Sequence, residues 1–390
     1  MTFSELSSEL VDLFAGGVQV ALAEDHFNDL ALRIHRFQCD GNPVLDTFSR
    51  RRGIPPEELD RWEEIPAVPT RAFRSVPLVA GDPDRVERVF RTSGTTGGPN
   101  RRGEHYVMDL ALYRGSLLAS FEAFLLPDGA SLSFLCLVPS PEEMPDSSLS
   151  FMLGVVRNEL GGGGGGFYVH PTRGLDAAGL RTALLQAQER RRPALVAGTA
   201  FAFVHFLEML EGRGWRFELP EGSRVLETGG FKGRSRVLPR HELYRGLHEL
   251  LGVPVSSIVN EYGMTELLSQ FYEPVLLESA GAEGARGSKF RADGVSPSPE
   301  GLALRYHRGP PWTRTRVLDS STLEPVPSGE AGVLAHVDLA NLSSSVAVLT
   351  EDMGREVEGG FRLLGRVPGA EPRGCSLAMD DFLLSAAGGP

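Results

Sequence analysis

Phe90-Arg-Thr-Ser-Gly-Thr-Thr-Gly-Gly-Pro99 is a run of hydroxyls and glycines placed directly after an apolar strand candidate, Val86 to Arg91. Glycine lets a backbone approach an anion closely, while exposed amides and hydroxyls donate to its oxygens, so Thr92, Ser93, Gly94, Thr95, Thr96 and Gly97 read as a phosphate cradle. The Gly-Lys-Ser/Thr ending of a Walker loop is absent. Outward from this loop the pattern is strand, loop and helix, repeated. Strand candidates are Ser131 to Val138, Phe167 to His170, Ala194 to Ala197, Arg224 to Glu227 and Ser256 to Val259. Helical spacing and length occupy Leu175 to Arg192, Phe201 to Glu211 and Arg236 to Leu251. Such alternation builds crossover units on a mainly parallel, buried sheet, and the fold class is α/β.

A second cluster, Asn260-Glu-Tyr-Gly-Met-Thr-Glu266, follows the strand candidate ending at Val259. Open parallel sheets bind ligands at this end of their strands. Tyr262 offers a planar face for a base, Thr265 a hydroxyl for phosphate, and Glu266 a hard oxygen ligand for Mg²⁺. A tyrosine at a strand end also serves as core, and a glutamate as solvated surface.

The flanks are less specific. Residues 1 to about 52 are rich in leucine, alanine and charge at helical spacing, as in Phe3-Ser-Glu-Leu-Ser-Ser-Glu-Leu-Val-Asp-Leu-Phe14. Pro55, Pro56, Pro66 and Pro69 then favour an extended connection lying along the surface. The uninterrupted glycines Gly161 to Gly166 predict a flexible surface loop. After Pro297 the signals are short strands and turns, including Gly332 to Val337, Val346 to Thr350 and Gly360 to Gly365. The expected organisation is a helical segment and proline-rich connection over 1–85, an α/β core carrying the phosphate cradle over 86–360, and a short tail over 361–390.

The chain has 390 residues with 51 acidic and 39 basic side chains, for a formal net charge of −12. That field disfavours nucleic acid as a partner. Three cysteines, Cys39, Cys136 and Cys375, are too few and too far apart for a disulfide framework or a cysteine-rich zinc site, which suits a reducing cytoplasm. The first residues lack a basic leader pattern, and no apolar run reaches the roughly 20 residues a membrane span needs.

Together the two clusters resemble the adenylate-forming superfamily, which activates carboxylic acids with ATP as acyl adenylates. Thr92 to Gly98 matches its phosphate loop and Glu261 to Glu266 its Tyr-Gly-x-Thr-Glu motif. Thr350-Glu-Asp-Met-Gly354 places Asp352 where the superfamily holds the ribose hydroxyls, and Gly365-Arg366 with Arg373-Gly374 resembles its interdomain hinge. The finer resemblance is to LuxE-type acyl-protein synthetases. It rests on Ile65-Pro-Ala-Val-Pro-Thr-Arg-Ala-Phe73, on Thr228-Gly-Gly-Phe-Lys-Gly233, on His105 and Asp109 after the phosphate loop, and on Arg373-Gly-Cys-Ser376.

The resemblance implies a large adenylate-forming domain of mixed and parallel sheets flanked by helices, with a small β-rich region and a truncated C-terminal tail. It implies ATP and Mg²⁺. Thr92 through Gly97 would hold the β- and γ-phosphates, Thr265 the α-phosphate and Glu266 the metal. Gly229, Gly230, Glu261, Tyr262, Gly263 and Met264 would frame the adenine, and Asp352 with Arg366 the ribose. Two departures stand out: Asn100 replaces the lysine that commonly closes the loop, and no room follows Gly374 for a full mobile domain with its catalytic lysine. Lys232 is the candidate replacement cation, and Cys375 the candidate acyl acceptor. The implied substrate is a small carboxylic acid, a fatty acid by resemblance, with an acyl-carrier, acyltransferase or reductase protein as partner. Transfer to coenzyme A, a carrier protein or an amine is the alternative reaction, and a catalytically silent nucleotide-binding relative the non-enzyme reading. Phe201, Phe203, Phe206, Leu207 and Leu210 read as an acyl pocket or, at that helical spacing, as core.

Overall fold

The computed structural model describes residues 2–53, 55–92, 102–229, 238–284, 298–366 and 373–387, which form two compact units. One unit comprises residues 1–120, 264–270 and 308–390, the other residues 121–263 and 271–307.

In the first unit, the amino-terminal leucine pattern becomes helix Phe3–Ala15. Its start is fixed by a capping box in which Thr2 and Glu5 satisfy each other's backbone amides. Leu6, Leu10 and Phe14 form its buried stripe, and Phe14 packs on Trp312 with ring centroids 4.7 Å apart. Helices Glu24–Gly41 and Pro43–Arg51 follow; Asn42 caps the latter, with proline at its first turn, where no amide partner is needed.

The proline-rich stretch departs from the expected surface connection. Leu59, Trp62, Ile65, Val68, Ala72 and Phe73 are all buried, and Val68–Pro69 pairs in parallel with Val348–Leu349. Proline lacks a donor, so it is tolerated at a sheet edge, which is where this two-residue strand lies. The sheet runs Val68–Pro69, Ala347–Val357, Ala331–Asp338, Thr313–Leu318, with Gly360–Arg366 also on Ala347–Val357. The chain then ends in helix Arg373–Ala387. Ala378 and Phe382 of this helix are fully buried, and Phe382 meets Phe48 edge-on at 5.3 Å.

The second unit carries a six-stranded sheet in the order Phe271–Tyr272, Ile258–Tyr262, Arg224–Thr228, Ala194–Thr199, Ser133–Leu137, Gly165–Phe167. All its pairings are parallel except that of Phe271–Tyr272. Helices Ser148–Glu159, Ala177–Glu189, Ala200–Gly212 and Arg240–Leu251 belong to this unit. Phe203, Phe206, Leu207 and Leu210 lie in its core with Val196, Val225 and Leu247, which settles these four residues as packing groups.

The glycine run is structural rather than a loose insertion. Gly163, Gly164 and Gly165 have φ of 78°, 79° and 74°, a region that L side chains rarely adopt. A Cβ at Gly165 would lie 2.0 Å from the Phe134 carbonyl oxygen, and one at Gly161 2.2 Å from that of Arg157. The run brings an edge strand against Ser133–Leu137, and at Gly161 and Gly165 a side chain would collide with backbone. No helix among the described residues is long and apolar enough to cross a membrane.

Candidate active site

In the first unit, strands Arg88–Arg91 and Glu104–Val107 form an antiparallel pair. Just beyond it, Thr92 and Gly103 bond reciprocally: Thr92 N donates to the Gly103 carbonyl at 2.9 Å and Gly103 N to Thr92 Oγ1 at 2.8 Å. Arg102 donates to the carbonyls of Thr92 at 2.5 Å and Arg91 at 3.1 Å. The neck of the segment 93–101 is thereby closed. Ser93, Gly94, Thr95, Thr96 and Gly97 lie outside the described residues, as do Gly230 and Lys232.

Thr265 and Glu266 stand on an irregular segment whose main chain is held by buried side chains. The Thr265 carbonyl lies 2.7 Å from Nδ1 of His105, and the Glu266 carbonyl accepts from Asn341 Nδ2 at 2.8 Å. Asp338 receives the amides of Leu268 at 3.0 Å and Ser269 at 2.8 Å. Glu266 itself is 8% exposed.

Asp352 lies within strand Ala347–Val357, directly across from Arg366. Their side chains approach to 3.5 Å, and Arg366 also lies 3.9 Å from Glu351. The structure thus brings the two expected ribose residues together, on a strand pair. Cys375 falls in helix Arg373–Ala387, with its side chain outside the described ones. Asp109 accepts from the amide of Ala111 at 2.8 Å, as a cap for helix Leu110–Leu125.

In the second unit, strands Arg224–Thr228 and Ile258–Tyr262 run in parallel, with Glu227 beside Asn260 and Thr228 beside Glu261. Alternation then sorts the side chains into two groups. Thr228 Oγ1 donates to the buried Glu261 carboxylate. Gly263 has no side chain at the spot where a Cβ would come within 2.2 Å of Glu261 Oε1. Gly229, with φ of 73°, turns the chain out of the neighbouring strand. Tyr262 is buried, its ring 6.0 Å from both Phe271 and His307.

The other group was not legible in the sequence. Glu273, fully buried, accepts from Arg240 and, at 2.9 Å, from Arg305. Asn260 donates to Glu227 through Nδ2 and meets His307 Nε2 with Oδ1 at 2.8 Å. Burial opposes ionisation of Glu273, but the adjoining arginines outweigh it and hold its carboxyl below the usual value. Glu227, less well paired, is pushed by burial up to about 7. Individually these residues read as solvated charge; only the strand register places Glu227 and Asn260 together.

Buried histidines set an acid limit. Burial lowers His35, His105 and His307 to about 4 and His336 to about 3. Their unfolded counterparts take up protons near pH 6.5, so this stability is fully present above that pH and lost as the folded values are approached, roughly 3 kcal/mol for each isolated group. Glu227 acts oppositely, because its folded form gains a proton first as the pH falls below about 7. Burial raises Asp338 as well, and four histidines against these two carboxylates leave a net loss. The urea midpoint should fall steeply between pH 6.5 and 4.5; a flat midpoint would contradict the burial of these rings as neutral species.

With this geometry in hand, the solved structures define the class. The chain has the fold of the adenylate-forming ligases: it matches an open conformation of 2-hydroxyisobutyryl-CoA ligase, in complex with 2-HIB-AMP and CoA, with a TM-score of 0.58 over 90% of this chain and 76% of that one, at 14% identity. A postadenylation state of the same enzyme matches with a TM-score of 0.60 over 88% and 68%, also at 14% identity. The model of the acyl-protein synthetase LuxE family matches residues 301–384. A long-chain-fatty-acid–luciferin-component ligase of Vibrio harveyi is 35% identical across 96% of this chain and 93% of its own length. That of Aliivibrio fischeri is 40% identical over 45 residues, 12% of each chain. The chain belongs to the LuxE acyl-protein synthetase family.

Proposed function

We propose that this ligase activates a long-chain fatty acid with ATP and passes the acyl group to the thiol of Cys375. The observation that carries the reading is the anchored segment bearing Thr265 and Glu266, in the same unit as the Asp352–Arg366 pair and as Thr92. Similarity to the Vibrio harveyi ligase along nearly the whole chain supports the acid.

A carboxylate oxygen attacks the α-phosphorus of ATP, the bond to the β-phosphate oxygen breaks, and pyrophosphate leaves. Positioning and charge stabilisation supply most of the acceleration. Thr92, Ser93, Gly94, Thr95, Thr96 and Gly97 hold the outer phosphates, Thr265 the α-phosphate, and Gly229, Gly230 and Glu261 through Met264 the base. Lys232 offsets phosphate or carboxylate charge. A Mg²⁺ ion shared with substrate phosphates needs only one or two protein carboxylates, and Glu266, fixed through its carbonyl by Asn341, offers one. When bound, the ion neutralises phosphate charge.

The Cys375 thiolate then attacks the acyl carbon, the bond to AMP breaks, and AMP leaves with the electron pair; the thiol proton goes to solvent. The other two cysteines do not suit that role. Cys39 and Cys136 are buried, and burial pushes both thiols up to about 12. Such free thiols are consistent with a reducing cytoplasm. An acyltransferase or reductase protein would supply or receive the acyl group.

Asp352→Ala tests the ribose contact. Losing a sugar anchor misplaces the α-phosphate, so the KM for ATP should rise and turnover fall, each by about tenfold. Unchanged ATP kinetics together with a lower melting temperature would assign Asp352 to the strand pair alone.

A further inference from the structure

The segment carrying Thr265 and Glu266 belongs to no helix or strand, yet its polar backbone is largely accounted for by side chains. Irregular backbone that is buried must find such partners or lose free energy. Asp338 holds Leu268 and Ser269, and Asn341 holds Glu266. His105 is the group nearest the chemistry, because it takes the carbonyl of Thr265 itself.

The geometry fixes the state of this histidine. A carbonyl oxygen only accepts, so Nδ1 carries the proton and donates to Thr265 at 2.7 Å. Nε2 is then the acceptor, and Ser344 Oγ lies 2.9 Å from it. His105 is 1% exposed and Ser344 0%, so neither contact is diluted by water. The Phe73 ring closes the remaining side, edge-on at 5.8 Å. Burial keeps the imidazole neutral, with its pKa lowered to about 4, as a ring that must both donate and accept requires.

Position gives this contact a use beyond packing. His105 lies on strand Glu104–Val107, two residues after Gly103, the partner of Thr92. The start of one short strand therefore holds both the neck of segment 93–101 and, two residues on, the Thr265 carbonyl. We propose that His105, oriented by Ser344, is a positioning residue that ties the strand leading from the phosphate loop to the segment bearing the α-phosphate hydroxyl and the metal carboxylate. The role in catalysis rests on the functions proposed above for Thr265 and Glu266; the anchoring itself does not.

Two isosteric variants separate the contacts. In His105→Asn the amide nitrogen can occupy the place of Nδ1, keeping the bond to Thr265 but losing Ser344. In His105→Gln the amide extends towards the place of Nε2, keeping Ser344 but losing Thr265. Adenylate formation, followed as pyrophosphate exchange with tetradecanoate, should lose about 100-fold in kcat in His105→Gln and less than about 5-fold in His105→Asn, with the KM for the acid unchanged. Ser344→Ala, which leaves the ring in place, should cost about 5- to 10-fold by loosening the tautomer.

Amide hydrogen exchange of the peptide covering 264–270, in the full chain without substrates, provides a readout independent of activity. It should quicken in His105→Gln and stay near wild type in His105→Asn. Equal losses in both variants, tracking their melting temperatures, would reduce His105 to core packing and overturn the proposal. Unchanged exchange at 264–270 in His105→Gln would overturn it too, as would unaltered turnover in Ser344→Ala. Should wild-type protein exchange no pyrophosphate with any acid, the proposed function fails, while hydrogen exchange still decides whether His105 anchors the segment.

Discussion

Glu266→Gln is expected to lower fatty-acid-dependent pyrophosphate exchange by about 10²- to 10³-fold, the range that follows loss of a group stabilising developing charge at a reacting centre. The substitution removes one anionic oxygen and leaves volume almost unchanged. The local backbone should survive it, because Asn341 holds the carbonyl of Glu266 and not its side chain, and Asp338 fixes the next residues. Melting temperature should therefore stay near wild type while activity collapses. Raising Mg²⁺ should recover part of the rate, since weakened metal binding yields to concentration. Near-wild-type exchange in Glu266→Gln would remove this residue from the metal role.

Cys375→Ser is expected to abolish covalent loading while adenylate formation continues. Serine keeps the size and loses the thiolate, and an alkoxide is not accessible to an unassisted serine near neutral pH. Incubation with ATP, Mg²⁺ and labelled tetradecanoate should give wild-type protein a hydroxylamine-sensitive adduct that the variant lacks, with pyrophosphate exchange retained within about twofold, because the thiol acts only after the adenylate forms. The burial of Cys39 and Cys136 makes the assignment clean. A label that persists in Cys375→Ser, or that maps to Cys39 or Cys136, would rule out Cys375 as the acceptor.

How far the fold was legible depended on contrast within each segment. The strands Ser133–Leu137 and Ala194–Thr199 were visible because buried parallel strands are near-continuous apolar runs. Helix Leu110–Leu125 was not. Its buried side includes Ser116 and Ser120, and its less buried side carries Leu118 and Ala119, so the apolar period is blurred. Ser116 tolerates that position because it receives the Trp312 indole proton at 2.8 Å and lies 2.8 Å from Ser269 Oγ, partners more than 150 residues away in the chain. Composition also misled at Gly161–Gly166, where neighbouring backbone demands glycine at Gly161 and Gly165 and positive φ favours it at Gly163 and Gly164.

The candidate site was legible where chemistry is written in contiguous residues. Their motif singled out Thr265 and Glu266 as candidates, and two short matches singled out Asp352 and Arg366, which the strand register makes neighbours. His105 stood in the sequence only as a lone histidine after the loop. Its contacts with Thr265 and Ser344 cross 160 and 239 positions, and nothing local announces them. The same holds for Glu273 with Arg240 and Arg305, charges whose burial only the tertiary fold produces.

Acid-dependent exchange of labelled pyrophosphate into ATP by the purified wild-type chain, with Mg²⁺ and a series of fatty, aryl and amino acids, tests the central claim most directly. Exchange should appear with long-chain fatty acids, vanish without acid, and require neither coenzyme A nor a second protein. Exchange no higher than the acid-free blank across the whole series would contradict adenylate formation by this chain, and exchange confined to aryl or amino acids would contradict its assignment to fatty acids.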